Sequence, residues 1–149
     1  MRERIRHWQR QSVRWGDMDA LGHVNNAAFF TYCESARITF FQRTAVGEVG
    51  PDSAQGPVLA SAQLDFKRQV RFPTELDVGV YVSRIGTKSY VLGYLVLDAQ
   101  SGAEVASGSS AVVWFSYRDG KTLPLSPEHR EALLEHLVER PGDEPPAQR

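Results

Sequence analysis

The sequence predicts an α+β fold in which a curved antiparallel sheet wraps around one long helix. The helix is indicated by an uninterrupted run from about Asn26 to Ala45, which contains neither Gly nor Pro. Segments with a hydrophobic period of two follow it, joined by short turns, and such a run of strands forms an antiparallel sheet. Because the helix is apolar on more than one side, a sheet that curves around it would bury most of that surface.

A short strand is predicted ahead of the helix, around Gln9 to Trp15. Asn25 or Asn26 is a suitable N-cap for the helix and Gly47 a suitable stop. The buried face of the helix is expected to carry residues at helical spacing: Phe29, Cys33, Ala36 and Phe40.

Four strands are expected after the helix, beyond a loop with the sequence GEVGPDSAQGP. The clearest are the alternating stretch Leu76–Val82, the β-branched and aromatic stretch Tyr90–Asp98, and Glu104–Tyr117. Turn signals occur at 100–102 and 119–120. Ser126 and Pro127 then predict the start of a short terminal helix.

The bulk composition is that of one globular domain, expected over residues 1–140, with a flexible C-terminal tail at 141–149. Seventeen basic and eighteen acidic residues leave almost no net charge, which argues against nucleic-acid and membrane-surface partners. A single cysteine, Cys33, excludes an internal disulfide. Without a long apolar run or a signal-peptide pattern, the predicted location is cytoplasmic.

The most informative segment is VRWGDMDALGHVNNAAFF, residues 13–30, which places two acids, a Gly-His pair and two asparagines directly before the helix. A capping loop needs only one such polar residue, with Gly22 in a turn of positive φ. The alternative is a catalytic site. A buried helix N-terminus offers N–H donors and partial positive charge to an oxygen that gains negative charge. A nearby carboxylate such as Asp17 could then attack a carbonyl or activate water.

This loop, with Glu34-Ser-Ala-Arg37 in the helix behind it, resembles the hotdog-fold acyl-CoA thioesterases, and within them the 4-hydroxybenzoyl-CoA thioesterase-like family. The resemblance extends from about Ser12 to Tyr117. It implies hydrolysis of an acyl-CoA to a free acid and CoA, with the first acid, Asp17, as nucleophile or general base. Asp19 would shape the loop. Oxyanion and substrate contacts would come from Gly22, His23, Val24, Asn25 and Asn26, chiefly from the last three backbone amides.

The same resemblance implies that the turn in RIGTKSY holds the coenzyme A phosphates, through Lys88, Ser89 and Arg84. By itself this segment indicates only a hairpin with exposed charges, because a phosphate-binding loop needs Gly directly before the Lys. Hotdog proteins pair their sheets edge to edge, so a homodimer or homotetramer is expected. No metal and no separate cofactor are expected, since coenzyme A is part of the substrate.

Several alternatives stay open. Glu34 and Arg37 are expected to form an ion pair, within the helix or across a subunit boundary, although Glu34 could be a second active-site carboxylate. Two functions are alternatives to thioester hydrolysis. The protein could be a non-catalytic module that binds acyl thioesters, or a hotdog dehydratase or hydratase that uses His23. The aromatic residues Phe29, Phe30 and Tyr32 are expected in the core rather than in a pocket. His129 and His136 are expected on a solvated helix face.

Overall fold

The computed structural model of the chain describes residues 1–44 and 50–139. Its strands and helices follow the order β1 (His7–Ser12), α1 (Asn26–Thr44), β2 (Gln55–Phe66), β3 (Glu75–Ile85), β4 (Ser89–Asp98), β5 (Glu104–Ser116), β6 (Lys121–Thr122) and α2 (Pro127–Leu134). Short 3₁₀ turns lie at Arg2–Arg4 and Trp15–Asp17. The predicted tail 141–149 and the predicted helix stop at Gly47 lie outside the described residues.

The strands form one antiparallel sheet in the order β1-β3-β4-β5-β2, with β6 added on β5. This confirms the predicted α+β architecture. The sheet wraps around α1, whose buried face carries the predicted residues Phe29, Cys33, Ala36 and Phe40. The opposite face of α1 is exposed at Ala27, Phe30, Thr31 and Glu34, so the helix is not enclosed on every side.

Local signals in the sequence are confirmed at the element ends. Asn25 caps α1, with its side-chain oxygen accepting a hydrogen bond from the Ala27 amide at 2.9 Å. Ser126 caps α2 in the same way through the His129 amide. Gly102 and Gly120 have the positive φ that their turns require. Among the described residues, no helix is long and apolar enough to cross a membrane.

Some strand boundaries and burial assignments differ from the sequence predictions. β1 begins two residues earlier than expected, and β2 begins at Gln55, inside the predicted loop, because pairing with β5 continues as far as Ser116. His129 is buried rather than solvated, with its ring edge-on to Trp114 at a centroid distance of 4.5 Å. His136 is half-buried against Phe40. The polar sequence of α2 does not reveal this burial, which arises from its contact with the sheet.

Candidate active site

The loop before α1 is a closed turn that docks on the segment after β2. Within it, the Asp19 amide donates to the His23 carbonyl and the Gly22 amide donates to the Asp19 carbonyl, both at 3.0 Å. Gly22 has φ of 80°, a conformation that side chains with a Cβ rarely adopt. The Val24 amide donates to the Val70 carbonyl at 2.8 Å, which fixes the turn against residues 67–71.

Asp17 is held tightly inside the protein. Its carboxylate accepts hydrogen bonds from the Arg14 amide at 3.0 Å, the Arg14 guanidinium at 3.0 Å and the Tyr32 hydroxyl at 2.5 Å. Burial opposes ionisation of this side chain, but the bonds from Tyr32 and Arg14 outweigh it, so the Asp17 pKa lies below its usual value. Oδ2 thus accepts hydrogen bonds from the Arg14 amide and Tyr32, whereas Oδ1 accepts one, from the exposed Arg14 guanidinium.

A cavity of about 390 Å³ lies between the N-terminus of α1 and the end of β2. It is lined by Asp19 and Leu21, by residues 23–26 and Phe29, and by residues 66–70. Asp17 does not line it. Asp19 is exposed to it, and the hydrogen bond that its carboxylate accepts comes from the Leu21 amide at 2.9 Å. Of the two acids in the motif, Asp19 lines the cavity, whereas Asp17 is hydrogen-bonded to Arg14 and Tyr32.

The backbone amides predicted to stabilise the oxyanion also differ in whether they already donate a hydrogen bond within the chain. The amides of Val24 and Asn25 already donate to the carbonyls of Val70 and Asp17, so they are not the free donors that the sequence suggested. Asn26 is the first residue of α1, where backbone amides have no partner within the helix. Within residues 1–44 and 50–139, its amide has no recorded acceptor. Of the three backbone amides predicted to donate to the oxyanion, only that of Asn26 has no acceptor among the described residues. Asn26 also lines the cavity.

The cavity wall opposite α1 carries positive charge that was not predicted from the sequence. Lys67 and Arg68 line the cavity, and Arg71 contacts His23 nearby, its guanidinium 3.3 Å from the imidazole Nε2. Because a guanidinium can only donate, His23 Nε2 is the acceptor in this contact. The signal was available in the basic run FKRQVRF, but sequence alone did not show that β2 ends beside the helix start.

The predicted coenzyme A residues lie elsewhere in the chain. Ser89 pairs with Val113 of β5, whereas Phe66 at the cavity pairs with Ala106 of the same strand. Seven residues along a strand correspond to about 23 Å. Arg84, Lys88 and Ser89 therefore belong to a hairpin at the opposite end of the sheet, and a single chain does not bring them to the cavity.

Further along α1, the predicted ion pair is confirmed: a Glu34 carboxylate oxygen lies 3.8 Å from an Arg37 guanidinium nitrogen.

The aromatic residues of α1 differ in their surroundings. Phe29 is buried yet also lines the cavity, while Tyr32 is buried and donates a hydrogen bond to Asp17. Phe30 is exposed, contrary to its expected place in the core. In the part of the chain that the structure describes, no three His, Cys, Asp or Glu side chains are grouped to hold a metal.

Comparison with known proteins identifies the family of the chain. The sequence profile of the thioesterase-like superfamily matches residues 13–133. The uncharacterized protein YsmA of Bacillus subtilis (strain 168) is 33% identical over 123 residues, which is 83% of this chain and 82% of YsmA.

Two solved structures show the same fold. A thioesterase of Thermus thermophilus, solved with coenzyme A and zinc, is 34% identical with a TM-score of 0.74, over 88% of this chain and 93% of that one. The PA2801 protein of Pseudomonas aeruginosa is 31% identical with a TM-score of 0.78, over 86% and 98% of the two chains. The predicted hotdog fold is thereby confirmed, and this chain belongs to the thioesterase-like superfamily as a thioester hydrolase.

Proposed function

We propose that this protein hydrolyses acyl-CoA thioesters to a free acid and CoA. The observation that carries the proposal is the cavity at the start of α1, where Asp19, the Asn26 amide and two cationic side chains, Lys67 and Arg68, line one space. A thioester carbonyl is reactive enough to need only a positioned carboxylate and a donor for its oxygen.

In the proposed reaction, Asp19 acts where the sequence suggested Asp17. Its carboxylate either attacks the thioester carbon, forming a mixed anhydride that water then hydrolyses, or removes a proton from water that attacks directly. In both routes the C–S bond breaks, the sulfur leaves as the thiol after protonation, and the hydroxyl of water ends on the acyl carbon. The carbonyl oxygen, which becomes negative, is stabilised by the Asn26 amide and by the partial positive charge of the helix N-terminus.

Asp17 has a supporting role in this proposal. Through Arg14 and Tyr32 it ties the loop to α1, so that Asp19 and Asn26 keep their relative positions. Gly22 permits the tight turn, and His23, Val24 and Asn25 form part of the cavity wall. A carboxylate that accepts several hydrogen bonds is a weak nucleophile, because its lone pairs are already engaged and its pKa is low.

The coenzyme A portion would be held by Lys67 and Arg68, whose charges suit phosphate groups. The 34% identical Thermus thermophilus thioesterase was solved with coenzyme A, which supports a CoA substrate here. Arg84, Lys88 and Ser89 could contribute only from a second subunit, given their distance along the sheet. No separate cofactor is proposed, and the cytoplasmic location stays a prediction.

We propose that two copies of the chain form a homodimer through contacts at the outer edge of β2. This strand has twelve residues, ends the sheet order, and exposes the apolar side chains Val58, Leu59 and Phe66. Long apolar edge strands bind other strands readily unless they are covered. Light scattering of the native protein and of Leu59→Lys tests this: the native protein should be at least dimeric and the variant should dissociate. A monomeric native protein at micromolar concentration would contradict it.

The function itself is tested with purified protein and short, medium, long and aromatic acyl-CoAs, with thiol release followed by a thiol-reactive dye. Saturable release from at least one class is expected. Saturable binding without turnover would favour the non-catalytic binding module. Conversion of an unsaturated acyl-CoA to its hydrated form, without release of thiol, would favour the hydratase and overturn the proposal.

A further inference from the structure

A second, smaller cavity lies further along the same groove between α1 and β2. It has a volume of about 140 Å³ and apolar walls that include Phe30, Leu59 and Leu64. Its polar lining comes from Arg37 of α1 and Tyr94 of β4. The reaction proposed above uses none of these residues.

Arg37 is a buried cation whose hydrogen bonding is incomplete. It is 9% exposed, and among residues 1–44 and 50–139 it donates one hydrogen bond, to the Tyr94 hydroxyl at 3.1 Å, which in turn contacts the Ser110 hydroxyl at 2.5 Å. The Glu34 carboxylate is 3.8 Å away, beyond hydrogen-bonding distance, and its side chain is 65% exposed. A guanidinium has several N–H donors and no acceptor, and Arg37 lines the cavity, so donors other than the one on Tyr94 are open to a ligand or to water there.

The two cavities are lined by neighbouring residues of α1 and β2. Asn26 and Arg37 are eleven residues apart on α1, which corresponds to about 16 Å along the helix axis. On β2, Leu64 and Phe66 point to the same face of the strand. Phe66 lines the first cavity and Leu64 lines the second. The Phe66 ring meets Phe29 edge-on at 5.5 Å at the wall of the first cavity, and Phe66 is 38% exposed.

We infer that the second cavity binds the distal end of the acyl group and that this end carries a carboxylate. The inference rests on the proposed function, because it needs the thioester to lie at Asn26. A carboxylate is the group that a guanidinium binds with two parallel hydrogen bonds, and burial strengthens such a charge-assisted pair. A methyl end would displace water from the Arg37 N–H groups without replacing its hydrogen bonds, which is costly in a nearly buried site. The substrate class is therefore the CoA thioester of a dicarboxylic acid.

The test uses three acyl-CoAs of equal chain length that end in a methyl, a hydroxyl or a carboxylate group, repeated at several lengths. The native protein should have the highest kcat/KM for one of the carboxylate substrates, with the difference mainly in KM. Arg37→Met removes the charge and keeps an unbranched side chain. It should lower kcat/KM for the carboxylate substrate by about tenfold to a hundredfold, and lower it much less for the methyl substrate.

Three further variants keep the test informative if Arg37→Met folds poorly. Arg37→Lys keeps the charge but loses the paired geometry, so an intermediate loss is expected. Glu34→Gln removes the carboxylate that competes for Arg37 and should lower KM for the carboxylate substrate. Arg118→Met, in the exposed turn after β5, removes the same charge from the surface and should leave the preference unchanged.

Each outcome decides a different question. If no acyl-CoA is hydrolysed or bound, the proposed function fails and the inference fails with it. If methyl-ended substrates are hydrolysed as well as carboxylate-ended ones, or hydroxyl-ended ones are preferred, only the inference is overturned. It is also overturned if Arg37→Met affects all three substrates equally or changes the oligomeric state alone, because Arg37 would then be a structural residue.

Discussion

The two acids of the loop allow a matched comparison, because Asp17→Asn and Asp19→Asn make the same chemical change two residues apart. The structure assigns them opposite consequences. Asp19 lines the cavity and accepts a hydrogen bond from the Leu21 amide, whereas both oxygens of Asp17 are engaged by Arg14 and Tyr32. Asp19→Asn is expected to impair catalysis, and Asp17→Asn to impair stability.

The size of each effect follows from the contacts. Loss of a general base typically costs about 10²–10⁴-fold in rate, and loss of a nucleophile costs at least as much. Asp19→Asn should therefore lower kcat by about 10²-fold or more, with the melting temperature nearly unchanged. Asp17→Asn loses charge-assisted hydrogen bonds worth about 1.5–3 kcal/mol. In a chain of this size that lowers the melting temperature by about 3–10 °C.

The assay measures thiol release at saturating acyl-CoA, normalised to folded protein, alongside thermal unfolding of each variant. Acid unfolding adds a second check. The Asp17 pKa is lowered in the folded state, so its stabilising contribution is present above the unfolded pKa and is lost as the pH falls through the folded pKa. Asp17→Asn should remove that part of the acid dependence. The reasoning would be refuted by an Asp17→Asn protein that is stable but inactive beside a fully active Asp19→Asn protein.

Two other predictions concern charge and burial. Charge reversal of Lys67 and Arg68 to Glu should raise KM for an acyl-CoA by about tenfold, while leaving an acyl-pantetheine thioester, which lacks the nucleotide phosphates, nearly unaffected. An equal effect on both thioesters would contradict phosphate binding. Burial lowers the His129 pKa to about 4, and its Nε2 has no hydrogen-bond partner in the described residues. The unfolded chain therefore binds more protons between about pH 6.5 and 4, and stability should fall as the pH drops through that range. His129→Phe should flatten this dependence in denaturant titrations at several pH values. An unchanged pH profile would show that His129 does not cause it.

The sequence determined the local features of this protein. Hydrophobic periodicity gave α1 and the central strands, because side chains on a helix or strand repeat with the period of the element that buries them. Cap and turn chemistry located Asn25, Ser126, Gly102 and Gly120 correctly, since these residues act on the backbone beside them. The loop motif also predicted a site at the N-terminus of α1, where the structure has a cavity.

Tertiary structure decided which of the motif's side chains line the cavity. Asp17 and Asp19 are equivalent by spacing, but only the fold brings Arg14 and Tyr32 onto Asp17 and leaves Asp19 at the cavity. The pairing of β2 with β5 carries Lys67 to the helix N-terminus, while the β3–β4 hairpin with Lys88 goes to the other end of the sheet. Whether a polar group is available depends on neighbours that are distant in sequence, and local pattern carries no information about them.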